Sequence, residues 1–273
     1  MNTVETKEAA ITIVREAGAL LRQGYRQVKQ ISAKSTAIDL VTQYDTRAET
    51  LIVNRLRQAF PQDAILGEEG GRQTHSPNGS DRIWLIDPLD GTINFAHGFP
   101  AFAVSLALYA AERPLVGIVY DPLRDECFHA AAGQGAFLDS PDGALQPLRV
   151  SDSRELVSSL LATGFPYDRH DSALDNLAQF GAFLKRVQGI RRPGAAALDV
   201  AYVAAGRLDG YWEYKLGSWD VAAATLLVTE AGGRISAMDG AAFHLAPTQH
   251  NALVASNGHI HEEIIGVLQS TPT

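Results

Sequence analysis

The 273-residue chain has the composition of an ordinary globular protein, with 46% hydrophobic and 20% charged residues. Its 31 acidic residues outnumber its 23 lysines and arginines, which gives a formal net charge of −8. The acidic residues are spread along the chain without a run of like charge. This balance argues against a nucleic-acid-binding face, which is normally a basic patch, so we do not expect a nucleic acid partner.

The compartment is indicated by cysteine usage and by the N-terminal segment. The single cysteine, Cys127, excludes an internal disulfide and a thiolate metal cage, as is usual in a reducing environment. The N-terminal residues are polar and acidic, and no apolar stretch approaches the roughly 18–20 residues that a membrane span needs. We therefore expect a soluble cytoplasmic protein without a membrane partner.

The spacing of apolar residues predicts two helices in the first quarter of the chain. The first covers about residues 3–25 and the second about 42–60, where Pro61 ends it. The short stretch 31–41 between them is partly β-branched and is compatible with a strand or a hairpin.

The middle of the chain has the pattern of a β-rich region, and the pattern changes after Val150. Strands are predicted at 64–66, 82–86, 102–111, 115–120 and 126–131. Beyond Val150, helices at 172–187, 195–206, 221–231 and 260–268 alternate with short strands near 208–214, 234–236 and 252–255. This arrangement suggests layered sheets and helices. We interpret residues 1–273 as one domain with a subdomain boundary near Val150.

The most informative stretch is the segment 84–95, which reads WLIDPLDGTINF. An apolar strand delivers Asp87 at its end, Pro88 turns the chain, and Asp90 follows, so both carboxylates can converge on one point. Gly91 and Thr92 can then open a helical turn whose N–H groups bind phosphate. Two carboxylates beside such a cradle suit a divalent cation. The same residue types are also typical of an ordinary surface turn.

Three further acidic residues stand at the ends of predicted elements. Glu68 follows the short strand at 64–66 within Gly-Glu-Glu-Gly, Asp45 lies at a helix start, and Asp220 precedes the apolar helix at 221–231. Asp45 and Asp220 could each be only a helix cap.

Taken together, these motifs resemble the set that marks the inositol monophosphatase family. The motifs are, in chain order, Asp45, Glu68-Glu69, Asp87-Pro-Leu-Asp90-Gly-Thr92 and Trp219-Asp220. The resemblance covers nearly the whole chain, since residues 34–45, 164–166 and 195–213 are also similar. It implies an α+β fold, a layered α/β/α/β/α sandwich of the inositol monophosphatase and fructose-1,6-bisphosphatase type, and a homodimer.

The resemblance also implies a site for two or three Mg²⁺ ions, or Mn²⁺ in their place. Glu68, Asp87 and the backbone carbonyl of Leu89 would hold the first ion. Asp87, Asp90 and Asp220 would hold the second, and a weaker third ion would lean on Glu68. A water molecule activated at the first ion would be oriented toward phosphorus by Thr92, backed by Asp45. Glu68, Thr92 and Asp45 are thus the catalytic candidates.

Two other features of the site follow from the same resemblance. Lys34 would lie near the metals, although from the sequence alone an ordinary surface lysine is the favoured interpretation. Lithium inhibition is expected, because a small hard cation could take the second oxygen-lined site.

The substrate implied by the resemblance is a small phosphorylated polyol, above all inositol-1-phosphate. The residues that would contact it are Asp90, Gly91, Thr92, Gly194, Ala195, Glu213 and Asp220. Glu213 could accept hydrogen bonds from two ring hydroxyls, but it could also be a solvated strand residue.

Other interpretations stay open. A sugar bisphosphatase acting on fructose-1,6-bisphosphate, or a histidinol-phosphate phosphatase, could use the same scaffold. A non-enzymatic regulator that binds the transcription machinery is a different class, and the intact carboxylates and the net charge of −8 count against it. The eight histidines show no ligand spacing and are expected on the surface or in loops. Arg191 and Arg192 could touch a substrate phosphate or simply be exposed.

Overall fold

The computed structural model describes residues 2–27, 31–34, 39–72, 81–248 and 250–271. Within these residues the chain forms seven α-helices: α1 (Thr3–Gly24), α2 (Gln43–Ala59), α3 (Thr92–His97), α4 (Leu177–Leu184), α5 (Ala196–Ala204), α6 (Ser218–Glu230) and α7 (His261–Ser270). Asn2 and Glu5 form a capping box at the start of α1, which satisfies two backbone N–H groups that a helix end leaves free.

The strands form three sheets. A two-stranded antiparallel sheet pairs β1 (Ile31–Ala33) with β2 (Leu40–Thr42), as the hairpin interpretation predicts, while residues 35–38 lie outside the described part of the chain. The large sheet has the order β10-β9-β8-β7-β6-β5-β3-β4. Its strands are β3 (Ala64–Gly67), β4 (Gly71–Arg72), β5 (Arg82–Asp90), β6 (Ala103–Ala110), β7 (Arg113–Asp121), β8 (Glu126–Ala131), β9 (Ala136–Asp139) and β10 (Leu145–Pro147).

The third sheet has five strands in the order β12-β11-β13-β15-β14. They are β11 (Leu160–Thr163), β12 (Gly189–Arg191), β13 (Gly210–Leu216), β14 (Arg234–Ser236) and β15 (Asn251–Ser256). The chain passes from the large sheet to this smaller one between residues 147 and 160, close to the predicted subdomain boundary. The division into one domain or two stays a prediction.

The elements stack in five layers because each strand buries alternate side chains on opposite faces. In β6, Val104, Leu106 and Leu108 pack with α1 and α2, while Ala107 and Tyr109 pack with α5 and α6 on the other face. The far side of α5 and α6 covers the five-stranded sheet, whose outer face is covered by α4 and α7. The predicted α/β/α/β/α sandwich is confirmed.

A close contact between α6 and the large sheet sets the position of the start of α6. A Cβ on Gly117 of β7 would collide with the backbone carbonyl of Ala223, and Ala222, Ala223 and Ala224 are fully buried. The small residues therefore let the helix lie directly on the sheet. This packing brings the N-terminal turn of α6 beside the end of β5.

Three predicted boundaries were wrong for identifiable reasons. The strand β5 continues past Pro88 to Asp90, because a register shift between Asp87 and Asp90 accommodates the proline. The helix predicted at 172–187 is shorter, since Asn176 is left-handed (φ 69°) and its side chain bonds the chain at Thr163 and Gly164. The helix predicted from 221 begins earlier, at Ser218. Among the described residues, no helix is long and apolar enough to cross a bilayer.

Candidate active site

The bulged end of β5 places two aspartates side by side in the protein. Asp87 is 2% exposed and Asp90 is 6% exposed. Asp87 accepts a hydrogen bond from the Leu89 N–H at 2.9 Å, within the bulge itself. Asp90 accepts one from the Leu198 N–H at 3.1 Å, in the first turn of α5. The proline and the bulge therefore turn both carboxylates toward one side of the sheet.

The next turn of chain carries Thr92, whose hydroxyl is held by Asp45. Thr92 Oγ1 lies 2.8 Å from Asp45 Oδ1 and 3.1 Å from the carbonyl oxygen of Leu89. The other oxygen of Asp45 accepts from the N–H of Thr42 at 2.9 Å and from its hydroxyl at 2.5 Å. The N-cap of α2 is Thr42, not Asp45 as the helix-cap interpretation had it, and Asp45 completes the capping box from the first turn of the helix while also holding the hydroxyl of Thr92.

Glu68 lies in the turn after β3, next to the end of β5. Its N–H donates to the carbonyl of Ile86 at 3.1 Å, which anchors the turn to the strand. Its carboxylate forms an ion pair with Lys34 at 2.7 Å, and Glu69 pairs with the same ammonium group. Lys34 is therefore not a free surface lysine. Although burial alone would lower the pKa of Lys34, the two glutamates raise it above its usual value.

Asp220 reaches the same place from the other side. It does not precede α6 as a cap but lies in the first turn of the helix, where it accepts a hydrogen bond from the N–H of the N-cap residue Gly217 at 2.7 Å. Asp220 also lines the cavity that Glu68, Asp87 and Asp90 line.

Further residues of the cavity wall come from β13 and from the start of α5, which adjoins the end of β5. Glu213 of β13 contacts the hydroxyl of Tyr211, and Gly164 provides the space for its carboxylate because a Cβ there would collide with it. Gly194 and Ala195 precede α5, and Ala195 touches the place where a Cβ on Gly91 would lie. Gly91 has φ 89°, and a Cβ there would be 2.8 Å from the carbonyl oxygen of Ala101. Glycine is required at this position.

One cavity of about 560 Å³ connects these groups. Nearly all of the predicted site residues line it: Lys34, Glu68, Asp87, Leu89, Asp90, Gly91, Thr92, Gly194, Ala195, Glu213 and Asp220. Asp45 does not line the cavity, because it is fully buried behind Thr92. The volume is ample for a molecule the size of a phosphorylated sugar.

The carboxylates in this cavity repel one another. Burial raises the pKa of Asp87 well above its ordinary range, and the charges of Glu68, Asp90 and Asp220 add to the effect. Burial likewise raises the pKa of Asp90 to about 7, and that of Asp220 well above its usual value. Ionising all of these groups together costs free energy that a bound cation would offset.

The chemical type of the donor groups suits a hard divalent cation, but the described side chains are not arranged as a complete coordination shell. Carboxylate oxygens and the Leu89 carbonyl are the ligands that Mg²⁺ prefers, and the described residues that line the cavity include no cysteine and a single histidine, His250. In the described part of the chain, however, no three acidic, histidine or cysteine side chains already form a metal cage. One carboxylate oxygen of Glu68, Oε1, is paired with Lys34.

Sequence and structure comparisons assign the chain to a family. Residues 2–273 match the profile described as the inositol monophosphatase family. The chain belongs to this family. It is 42% identical over 265 residues to the inositol-1-monophosphatase of Synechocystis sp., covering 97% of this chain and 89% of that protein. It is also 44% identical over 263 residues to the Nus factor SuhB of Pseudomonas aeruginosa, covering 95% and 94%.

The fold agrees with a solved structure of the same family. The inositol monophosphatase from Anabaena (Nostoc) sp. superimposes with a TM-score of 0.87 at 39% identity, covering 100% of this chain and 98% of that one. The family assignment supports a phosphatase.

Two cavity residues were not identified from the sequence. Asp199 is 1% exposed, and among the described residues its Oδ1 has no hydrogen-bond partner. Its signal was a charged residue within the otherwise apolar stretch at 195–206. Tyr167 follows the Gly164-Phe165-Pro166 motif and also lines the cavity.

The expectation that the histidines are exposed was wrong at two positions. His129 is 2% exposed and lies 3.3 Å from Asp139, and His261 is fully buried between the hydroxyls of Ser256 and Ser236 at 2.8 Å each. His75 lies outside the described residues. Burial lowers the pKa of His261 to about 4, so it is a neutral core residue. Arg191 and Arg192 are exposed, and Arg192 lines the cavity.

The state of Glu213 makes a testable prediction for stability. Burial raises its pKa to about 7 from an ordinary 4.5, so the stability that it contributes is fully present below about pH 4.5 and is lost as the pH rises through 7. The Glu213→Gln variant has no group that ionises at this position, so it does not lose this stability as the pH rises. Between pH 5.5 and pH 8 we expect the Tm of the metal-free wild type to fall a few degrees further than that of the variant. If differential scanning calorimetry shows an equal fall in Tm for the wild type and the variant, the raised pKa of Glu213 is contradicted.

Proposed function

We propose that the chain catalyses Mg²⁺-dependent hydrolysis of a small phosphate monoester, with inositol-1-phosphate as the substrate. The observation that carries this proposal is the convergence of Glu68, Asp87, Asp90 and Asp220 on one cavity beside Thr92. Asp87 and Asp90 are buried and Glu68 and Asp220 are half-buried, and such a group of neighbouring carboxylates is costly unless it serves to bind cations. Membership of the inositol monophosphatase family supports the same conclusion.

The family resemblance divides the acids into two sets for metal binding. Glu68, Asp87 and the carbonyl of Leu89 would hold one Mg²⁺, and Asp87, Asp90 and Asp220 would hold a second. A weaker third ion would use Glu68, and Mn²⁺ could replace Mg²⁺. When bound, such ions stabilise the charge on the attacking and leaving oxygens and make water a better nucleophile.

The protein's own contribution to the attack is the pair Thr92 and Asp45. With its proton directed to Asp45 Oδ1, the threonine oxygen is free to accept a hydrogen bond from the attacking water. This arrangement orients a lone pair of the water toward phosphorus. It requires no covalent intermediate with the enzyme.

The other wall of the cavity suits a polyol. Glu213, Gly194 and Ala195 line the same cavity as the acids of β5, and Gly194 and Ala195 lie next to Gly91. A carboxylate acceptor held in this place favours a ring with several hydroxyl groups, because a less hydroxylated analogue leaves it unpaired. The Synechocystis relative is an inositol-1-monophosphatase, which supports the same choice.

A partner in the transcription machinery is a second candidate, raised by the relative named Nus factor SuhB. The complete set of carboxylates counts against such binding as a replacement for catalysis. A homodimer and lithium inhibition remain proposals from the family resemblance.

A substrate panel tests the proposal. Phosphate release with Mg²⁺ is compared for inositol-1-phosphate, fructose-1,6-bisphosphate, histidinol phosphate and adenosine 3′,5′-bisphosphate. We expect a clear preference for inositol-1-phosphate, and a Glu213→Gln variant whose KM for it rises about tenfold while hydrolysis of a simple aryl phosphate changes little. A preference for fructose-1,6-bisphosphate or histidinol phosphate would agree with the proposed metal site but would contradict inositol-1-phosphate as the substrate.

A further inference from the structure

A buried glutamate on α2, Glu49, lies directly behind the turn that carries Glu68. It is 3% exposed and stands one helical turn after Asp45, so the two acids share a face of α2. The cavity that contains Glu68 and Asp87 is not lined by Glu49. Its carboxylate therefore has a different task from that of a metal ligand.

Both oxygens of Glu49 bind the backbone of the turn between β3 and β4. Oε2 accepts from the Glu69 N–H at 2.9 Å, and Oε1 accepts from the Gly70 N–H at 2.7 Å. These two amides belong to a turn, where the strand pairing of β3 and β4 provides no acceptor for them. Hydrogen bonds from amides to a charged acceptor are stronger than those between neutral groups.

The sequence also leaves room for this contact. A Cβ on Gly67 would lie 2.5 Å from Glu49 Oε2, so only glycine lets the carboxylate pass under the end of β3. The backbone of Glu68 is thus held on two sides. Its own N–H is bound to the carbonyl of Ile86 in β5, and the next two N–H groups are bound to Glu49.

We propose that Glu49 is a positioning residue that fixes the Gly67–Gly70 turn and so directs the Glu68 carboxylate into the cavity. This inference rests on the proposed metal site, because its consequence is a change in divalent-cation affinity. A metal site requires its ligand atoms to be placed precisely, and a carboxylate is placed precisely only if the backbone that carries it is fixed. Substituting a residue that supports a metal ligand typically lowers the affinity for the metal 10- to 100-fold.

The test compares Glu49→Gln, which keeps the shape but replaces one acceptor oxygen with an NH₂ group, and Glu49→Ala. Binding of Mn²⁺ alone to the metal-free proteins is measured by electron paramagnetic resonance. We expect its Kd to rise about tenfold in the Gln variant and further in the Ala variant. Amide exchange at Glu69 and Gly70, measured by NMR, should accelerate at one amide or both.

Asp63→Asn is the matched control. Asp63 is also a buried carboxylate next to β3, bonded to the indole of Trp84 at 3.0 Å and paired with Arg82 at 3.1 Å, but it does not line the cavity. This variant should lower the Tm without changing the Kd for Mn²⁺. A Gln variant that loses Tm as the control does, with unchanged Kd and unchanged exchange at Glu69 and Gly70, would overturn the inference.

Activity separates this inference from the proposed function. If the wild type hydrolyses substrate, Glu49→Gln should require about tenfold more Mg²⁺ for half-maximal rate while its kcat at saturating Mg²⁺ stays near that of the wild type. If the wild type binds Mn²⁺ but hydrolyses none of the phosphate esters, the proposed function fails. In that case the Kd and the amide exchange still decide the role of Glu49.

Discussion

Asp87→Asn is expected to reduce phosphate release by roughly 10³-fold or more, even at saturating Mg²⁺. Asp87 lies at the centre of the acidic group, where the charges of Glu68, Asp90 and Asp220 all act on it. In the proposed site Asp87 would be a ligand of both ions, so removing its charge would weaken the binding of both. Steady-state phosphate release across a Mg²⁺ titration measures the effect.

The same variant has an expected effect on stability that does not depend on activity. Because burial and three neighbouring charges raise the pKa of Asp87, its ionised form is unfavourable in the metal-free protein near neutral pH. The Asn variant should therefore unfold at the same or a higher temperature than the wild type in EDTA, and Mg²⁺ should stabilise it less.

Asp121→Asn provides the control for this variant. Asp121 is buried at the end of β7 and accepts from the N–H groups of Leu123 and Arg124, away from the cavity. The Asp121→Asn variant should have a lower Tm than the wild type but an unchanged turnover. Wild-type turnover of Asp87→Asn at saturating Mg²⁺ would contradict the assignment of Asp87 as a bridging ligand.

Thr92→Ala is expected to lower kcat by about 10²- to 10³-fold while the affinity for Mg²⁺ changes little. The hydroxyl is 2.8 Å from Asp45 and is proposed to orient the attacking water, and it is not among the proposed metal ligands. Rates at saturating substrate and Mn²⁺ binding to the metal-free protein separate the two effects.

Thr92→Ser tests whether the hydroxyl itself is responsible, because it keeps the oxygen and removes only the methyl group. It should retain most of the activity, whereas Asp45→Asn should resemble the alanine variant at Thr92. An alanine variant with full turnover, or a serine variant as poor as alanine, would show that this hydroxyl does not position the water.

The acidic group could be predicted from the sequence because local patterns place each acid at the end of an element. Asp87 and Asp90 follow an apolar run, and Glu68 follows a short one. Their convergence depends on the parallel pairing of β3 with β5 and on the bulge at Pro88. The family resemblance implied this convergence, whereas spacing alone left a surface turn as an alternative.

Contacts between distant parts of the chain could not be predicted in the same way. Glu49 on α2 is 20 residues from the Glu69 amide that it binds, and nothing in the helical pattern distinguishes it from an exposed glutamate. Asp199 and Tyr167 enter the cavity through the packing of α5 and of the loop after β11. Helix propensity favoured a start of α6 within the alanine-rich segment. The earlier start that the structure shows follows from tertiary contacts, which the sequence pattern does not reveal.

The most direct test of the central claim is phosphate release from inositol-1-phosphate by the purified wild type with Mg²⁺, with EDTA, and after Mg²⁺ is restored in excess. The proposed site predicts steady release with Mg²⁺, loss of release in EDTA, and full recovery when Mg²⁺ returns. Release that continues unchanged in EDTA, or no Mg²⁺-dependent release from this or any other phosphate monoester, would contradict it.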